Sequence, residues 1–238
     1  MGFYKNIVFL CVVGLASCAP PPAQKCKLSD SDCMKTAFQQ YLPTFVSGIP
    51  ELGVEVLDVM DMEDIKFDLS GLKFTLQEGK LKGLKSSIID GARWDMAKKR
   101  LHIDFHNNCT IRGHYTASGR ILILPITGDG NMKLKLRNLV VKLFIDFDMG
   151  KNDEGKDIIV AKKFGYEYDV IDNVHYDLSN LFNGNKELSE TMLTFLNQNW
   201  KQIVKEFGTP MMNVSAKKIY KNIATFLKNT PLEDIVLS

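Results

Sequence analysis

The chain has 238 residues, 45% of them hydrophobic and 24% charged, with a formal net charge of +2. That length suits one large domain or two small ones, with ample chain for a full core. Nearly balanced acids and bases provide no strong basic field, which argues against nucleic acid or an anionic membrane surface as a partner.

At the N-terminus Lys5 precedes the apolar run Ile7 to Leu15, and the small residues Ala16-Ser17-Cys18-Ala19 follow. A basic start, an apolar core of about 10 residues and a small-residue exit have the form of a secretory signal peptide. The run is shorter than the about 20 apolar residues that cross a bilayer, and Pro20, Pro21 and Pro22 prevent its continuing as a helix. Residues 1–18 are therefore expected to be a signal peptide, and residues 19–238 a single secreted domain without stable membrane insertion.

Removing that segment takes Cys11 and Cys18 with it and leaves Cys26, Cys33 and Cys109. In an oxidising compartment Cys26 and Cys33 should close a small disulfide loop, which stabilises by about 2–3 kcal/mol. Cys109 is then the odd one. Asn108-Cys109-Thr110 and Asn213-Val214-Ser215 are acceptor sequons, so Asn108 and Asn213 are candidate glycosylation sites.

The next segment predicts a short helix. Ser29, Asp30 and Asp32 supply N-cap chemistry, and Met34, Ala37, Phe38, Tyr41 and Leu42 recur at helical spacing. Pro43 is expected to kink or end it, before Gly48-Ile49-Pro50 closes the segment.

From about Leu57 to Leu181 the period changes to two. Ile65, Phe67 and Leu69 alternate with polar residues, as do Leu72, Phe74 and Leu76, then Leu101, Ile103 and Phe105, then Met132, Leu134 and Leu136. Such alternation describes an antiparallel sheet with one apolar and one wet face. Turns are expected at Glu78-Gly79, Asp90-Gly91, Ser118-Gly119, Asp129-Gly130 and Asn152-Asp153-Glu154-Gly155.

The last fifth reads as helix. Leu188, Met192, Phe195, Asn199, Ile203 and Phe207 form a stripe, and Met212, Ala216, Ile219, Ile223 and Phe226 a second. Gly208-Thr209-Pro210 is expected to interrupt them, giving two helices or one kinked one. The fold class is α+β: a strongly curved antiparallel sheet rolled around a long C-terminal helix, with a short N-terminal helix beside it.

Three stretches carry a family likeness. They are the near pair Cys26 and Cys33 before a short helix, the segment Cys109 to Gly130, and Val174 to Asn185 leading into the helix with Phe207-Gly-Thr-Pro-Met211. In this order and spacing the mature chain resembles the takeout and juvenile hormone-binding protein family of insects. Haemolymph juvenile hormone carriers typically have a second disulfide; Cys109 has no evident partner, so the likeness is to the takeout branch. The resemblance implies a tubular lipid-binding fold with an internal apolar tunnel. It also implies a carrier for an elongated hydrophobic molecule such as a terpenoid hormone or fatty acid, in a circadian, feeding or chemosensory setting.

Carriage needs little chemistry beyond apolar walls, since each buried methylene contributes about 0.8 kcal/mol. The candidate walls are Phe45, Phe67, Phe74, Leu122, Leu134, Tyr168, Met192, Phe195, Leu196, Ile203, Phe207 and Met211, with plain core packing as the bland alternative for each. His102, Asp104 and His106 share one strand face and could ligate zinc, but their alternation with Leu101, Ile103 and Phe105 puts them on the wet side. His114 and His175 have no obvious acid partner. No nucleophile elbow or phosphate loop is present, so no catalysis, cofactor or metal is expected, and a monomer is. The competing reading is a secreted interaction protein working through its outer surface with the tube packed solid.

Overall fold

A computed structural model describes residues 24–237. The expected signal peptide, with Cys11 and Cys18, lies outside them.

Helix α1 spans Ser31–Val46. The Asp30 carboxylate caps it by accepting from the Cys33 backbone N–H at 3.0 Å, satisfying one of the donors that a helix start leaves free. Pro43 does not end the helix but lies inside its last turns. Cys26 and Cys33 are disulfide-bonded, with their Cα atoms 5.7 Å apart. Cys26 also bridges to Val236, so the two ends of the described chain meet beside α1.

Strands β1 (Met60–Asp61), β2 (Ile65–Leu69), β3 (Leu72–Lys82), β4 (Ile88–Asp95), β5 (Arg100–Ile121), β6 (Leu124–Lys151) and β7 (Asp157–Leu178) form one seven-stranded sheet. Every pairing is antiparallel. The last three strands are 22, 28 and 22 residues long, several times the usual about 5–6. β4 pairs with Arg100–His106 of β5, and β3 pairs with Thr110–Gly119 further along the same edge.

Four of the five expected turns are strand interior instead. Glu78-Gly79 and Asp90-Gly91 sit at register shifts within β3 and β4, while Ser118-Gly119 and Asp129-Gly130 lie inside β5 and β6. Only Asn152–Gly155 joins two strands. Glycine inside a strand often marks a close approach rather than a reversal. A Cβ on Gly119 would stand 2.1 Å from the Gly71 carbonyl oxygen, and one on Gly130 would stand 2.5 Å from that of Ser179.

β6 changes which parity faces inward at Asn138, whose φ is +54°. Met132 and Leu136 are buried before it, and Leu139, Val141, Leu143 and Ile145 after it. An extra residue in one strand shifts every later side chain to the other face, and Asn tolerates the left-handed backbone this needs. The Asn138 N–H donates to Asn108 Oδ1 at 2.8 Å, tying the irregularity to β5.

The C-terminal helices are α2 (Lys186–Gln198), α3 (Trp200–Asn229) and the short α4 (Leu232–Ile235). The expected break at Gly208-Thr209-Pro210 is absent, because α3 runs through Pro210. The break falls at Asn199, where φ is −105° and the backbone leaves the helical region. Gly208 acts in packing rather than as a stop, since a Cβ there would lie 2.6 Å from the Tyr168 hydroxyl oxygen. α3 packs against β7 and β2, inside the curve of the sheet. The α+β architecture expected from the sequence is the one observed.

Candidate ligand-binding site

Sheet and helix do not close completely on each other. Beside the C-terminal half of α3 lies a cavity of about 160 Å³. An apolar cavity of about that size stays dry and admits a benzene ring. Met34, Phe38, Leu42 and Phe45 of α1 form one wall, Ile89, Trp94, Leu101 and Ile103 of the sheet a second, and Ile219, Ile223 and Phe226 of α3 a third. Phe226 is boxed by Tyr41 and Phe45, with ring centroids 5.7 and 5.9 Å away.

A second cavity of about 100 Å³ lies along the N-terminal half of α3. Phe67, Phe74, Ile111, Tyr115, Leu134 and Tyr168 face Leu196, Ile203, Phe207 and Met211 across it. Phe67 stacks on Phe74 at 5.2 Å and on Phe207 at 6.4 Å, and Phe74 on Tyr115 at 6.4 Å, so an aromatic row lines this end.

Between them is a waist of about 30 Å³. It shares Phe105, Leu143 and Ile219 with the first cavity and Ile111, Leu136 and Met212 with the second. The three spaces therefore follow α3 from Ile203 to Leu227, about 36 Å at 1.5 Å per residue.

The walls are uncharged: among the described residues, no Asp, Glu, Lys, Arg or His lines any of the three spaces. Burial pushes the Tyr115 phenol and the Cys109 thiol each up to about 12, and raises Tyr176 as well. These groups stay neutral at physiological pH. Tyr115 donates to the Ser179 carbonyl at 2.8 Å. Three buried polar atoms in the walls have no protein partner: Trp94 Nε1, Asn107 Oδ1 and Ser215 Oγ.

Nine of the twelve candidate wall residues face these spaces. Phe45 lines the first cavity. Phe67, Phe74, Leu134, Tyr168, Leu196, Ile203, Phe207 and Met211 line the second. Leu122, Met192 and Phe195 do not. Leu122 sits in the β5–β6 reversal with φ +55°. Met192 and Phe195 belong to α2, which the break at Asn199 separates from α3, and they pack into the core. The sequence reading missed most of the first cavity, including Met34, Trp94 and Ile223, and the polar residues of the waist. Asn107 was detectable in principle, because it falls on the inward parity of Leu101, Ile103 and Phe105.

The other singled-out groups lie elsewhere. His102, Asp104 and His106 are on the outer face, and His106 Nδ1 bonds to Asp90 at 2.8 Å. His114 does have an acid partner, Asp129, at 2.7 Å across the strand pair. A partner on a neighbouring strand is invisible from local sequence. Asn108 and Asn213 are both exposed, and Asn213 is hydrogen-bonded to the Tyr166 hydroxyl. Among the described residues no helix is long and apolar enough to cross a membrane.

Known proteins share the family and the fold. The family model described as haemolymph juvenile hormone binding protein matches residues 7–237. The crystal structure of Takeout 1 from Epiphyas postvittana superposes with a TM-score of 0.88 at 59% identity, covering 90% of this chain and 99% of that one. The circadian clock-controlled protein daywake of Drosophila melanogaster is 27% identical over 236 residues, covering 94% of this chain and 90% of its own length. Daywake of Drosophila yakuba is 29% identical over 231 residues, with coverage of 90% and 87%.

Proposed function

The chain belongs to the haemolymph juvenile hormone binding protein family, on its takeout-like branch, and from that premise we propose that it is a secreted, non-enzymatic carrier of an elongated apolar small molecule. The observation that carries the reading is the line of uncharged cavities along α3, with the waist sharing wall residues with the cavity on either side. Apolar surface that a packed core would cover is left for a guest, and each methylene buried there contributes about 0.8 kcal/mol. A terpenoid, fatty acyl or prenyl chain has the required length and thinness.

Secretion is supported by the N-terminal segment read from the sequence and by the Cys26–Cys33 disulfide, a bond that persists in oxidising compartments. The wall residues proposed to touch the ligand are Phe45, Phe67, Phe74, Leu134, Tyr168, Leu196, Ile203, Phe207 and Met211.

The test is native mass spectrometry and organic extraction of the protein purified from its own tissue. Displacement of a fluorescent probe by terpenoids, fatty acids and quinones should follow. A co-purifying lipid and displacement by at least one chain class are expected. A protein that arrives empty and takes up neither probe nor lipid would overturn the proposal.

A further inference from the structure

The waist holds two buried polar side chains whose hydrogen-bonding capacity the protein leaves open, Ser215 at its hydroxyl and Asn107 at one end of its amide. Asn107 on β5 and Ser215 on α3 are each 4% exposed, and both line the same cavity of about 30 Å³. One end of the Asn107 amide bonds Ser87 Oγ at 2.9 Å, while the other end has no partner. Exchanging the amide oxygen and nitrogen leaves the same account, one end on Ser87 and the other free. Ser215 Oγ is also without a partner, although a helical serine can bond the carbonyl four residues back. Buried polar groups are seldom left this way in a folded protein. Around them stand Leu81, Leu136, Leu139, Val141 and Ile219, which offer no hydrogen bonds, and Tyr166, whose hydroxyl donates to Asn213 Oδ1. The neighbouring Cys109 thiol, pushed up to about 12 by burial, contributes at most a weak S–H donor.

Resting on the carrier reading, we infer that the waist recognises a hydroxyl group within the chain of the ligand, so that the preferred cargo is an elongated lipid hydroxylated partway along its length. A hydroxyl both donates and accepts, and so satisfies Ser215 Oγ together with either end of the Asn107 amide. An ether or ketone oxygen only accepts. A carboxylate would bring a charge into an apolar space that has no cation to meet it. Position follows from the layout: the waist shares Ile219 with one cavity and Met212 with the other, so a group bound there has hydrocarbon on both sides. Its small volume admits a hydroxyl-bearing carbon and no bulky headgroup. A resident water makes the same hydrogen bonds, and in that case ligand hydroxylation brings no advantage.

The experiment uses the full mature protein, freed of lipid, with N-phenyl-1-naphthylamine as the displaceable probe. Stearic acid is compared with a series of hydroxystearic acids whose hydroxyl is stepped along the chain. One position is expected to bind about tenfold more tightly than stearic acid, with neighbouring positions falling away. In Ser215→Ala, which removes a single oxygen, the ratio of the two affinities should fall towards one, as it should in Asn107→Leu. Equal or weaker binding by every hydroxylated isomer overturns the inference while leaving the carrier reading intact. So does a preference that survives in both variants. If no fatty acid of either kind displaces the probe, this inference falls, while the carrier reading is decided by the terpenoids and quinones of the wider panel.

Discussion

Asn222 holds two backbone segments together from a position only 1% exposed. Its Oδ1 accepts from the Glu55 N–H at 2.6 Å, and its Nδ2 donates to the Lys218 carbonyl at 2.9 Å. Asn222→Ala leaves a partly buried N–H without a partner, so unfolding stability should drop by about 2 kcal/mol in urea titration; an unchanged midpoint would show that water replaces the amide at no cost. The Glu55 carboxylate is held below the ordinary range chiefly by its hydrogen bonds to Lys221 and Lys218, each at 3.2 Å. A lowered folded-state value means that the unfolded chain binds the proton more readily. The stabilisation is therefore present above the usual carboxylate value and lost as pH falls through the lower folded one. Glu55→Gln should then lower stability slightly at neutral pH, leave it little changed at acid pH where the carboxylate is protonated, and so flatten the acid limb, as read by thermal melts across pH. Both pairs span more than 160 positions of sequence, so nothing local announced them. Asn107, Ser215 and Asn222 are polar residues at inward positions of apolar patterns, a signal the sequence carried but that was not read. Whether such a residue is satisfied, as Asn222 is, or left open, as Ser215 is, depends on the geometry of other elements.

Among the elements, one-sided alternation identified the sheet well, but its punctuation was misread. Gly79, Gly91, Gly119 and Gly130 look like turn residues because glycine suits reversals and bulges alike, and only pairing partners tell the two apart. Leu122-Ile123, with no turn chemistry, forms the actual β5–β6 reversal, and Ile123 stands 80% exposed there. The helices show the same limit. Pro210 removes one donor from α3 without breaking it, because packing inside the sheet outweighs a single missing bond. The Cys26–Cys33 loop was legible because its chemistry is local. It anchors α1, which forms a wall of the first cavity, to the strand-like contact between Cys26 and Val236. Replacing both cysteines with serine should lower stability by about 2–3 kcal/mol. Hydrogen exchange should quicken first in α1 and around Val236. Uniform acceleration across the sheet would mean that the bond supports the whole fold rather than this one corner.

At the scale of the whole molecule, an inward residue that lines empty space and one that packs against a neighbour give the same sequence pattern. That is why Phe207 and Met192 were indistinguishable beforehand, although only Phe207 borders a cavity. Small residues sit where the helix passes the waist: Ser215 and Ala216 line it together with Asn107 and Cys109. Filling that point should stop a bound chain from spanning both cavities. Ala216→Phe places a ring in a space of about 30 Å³ at a cost of about 1–3 kcal/mol from overpacking, so folding is to be checked first by circular dichroism and thermal melting. Octanoic acid, short enough for one cavity, should keep most of its affinity. Stearic acid must cross the waist to bury its full length, and excluding even two methylenes at about 0.8 kcal/mol each weakens it by roughly tenfold or more. The measured quantity is the ratio of the two affinities, which cancels any general loosening of the protein. A ratio that does not change would mean that long chains never pass the waist, and that the two cavities act as separate pockets rather than one channel.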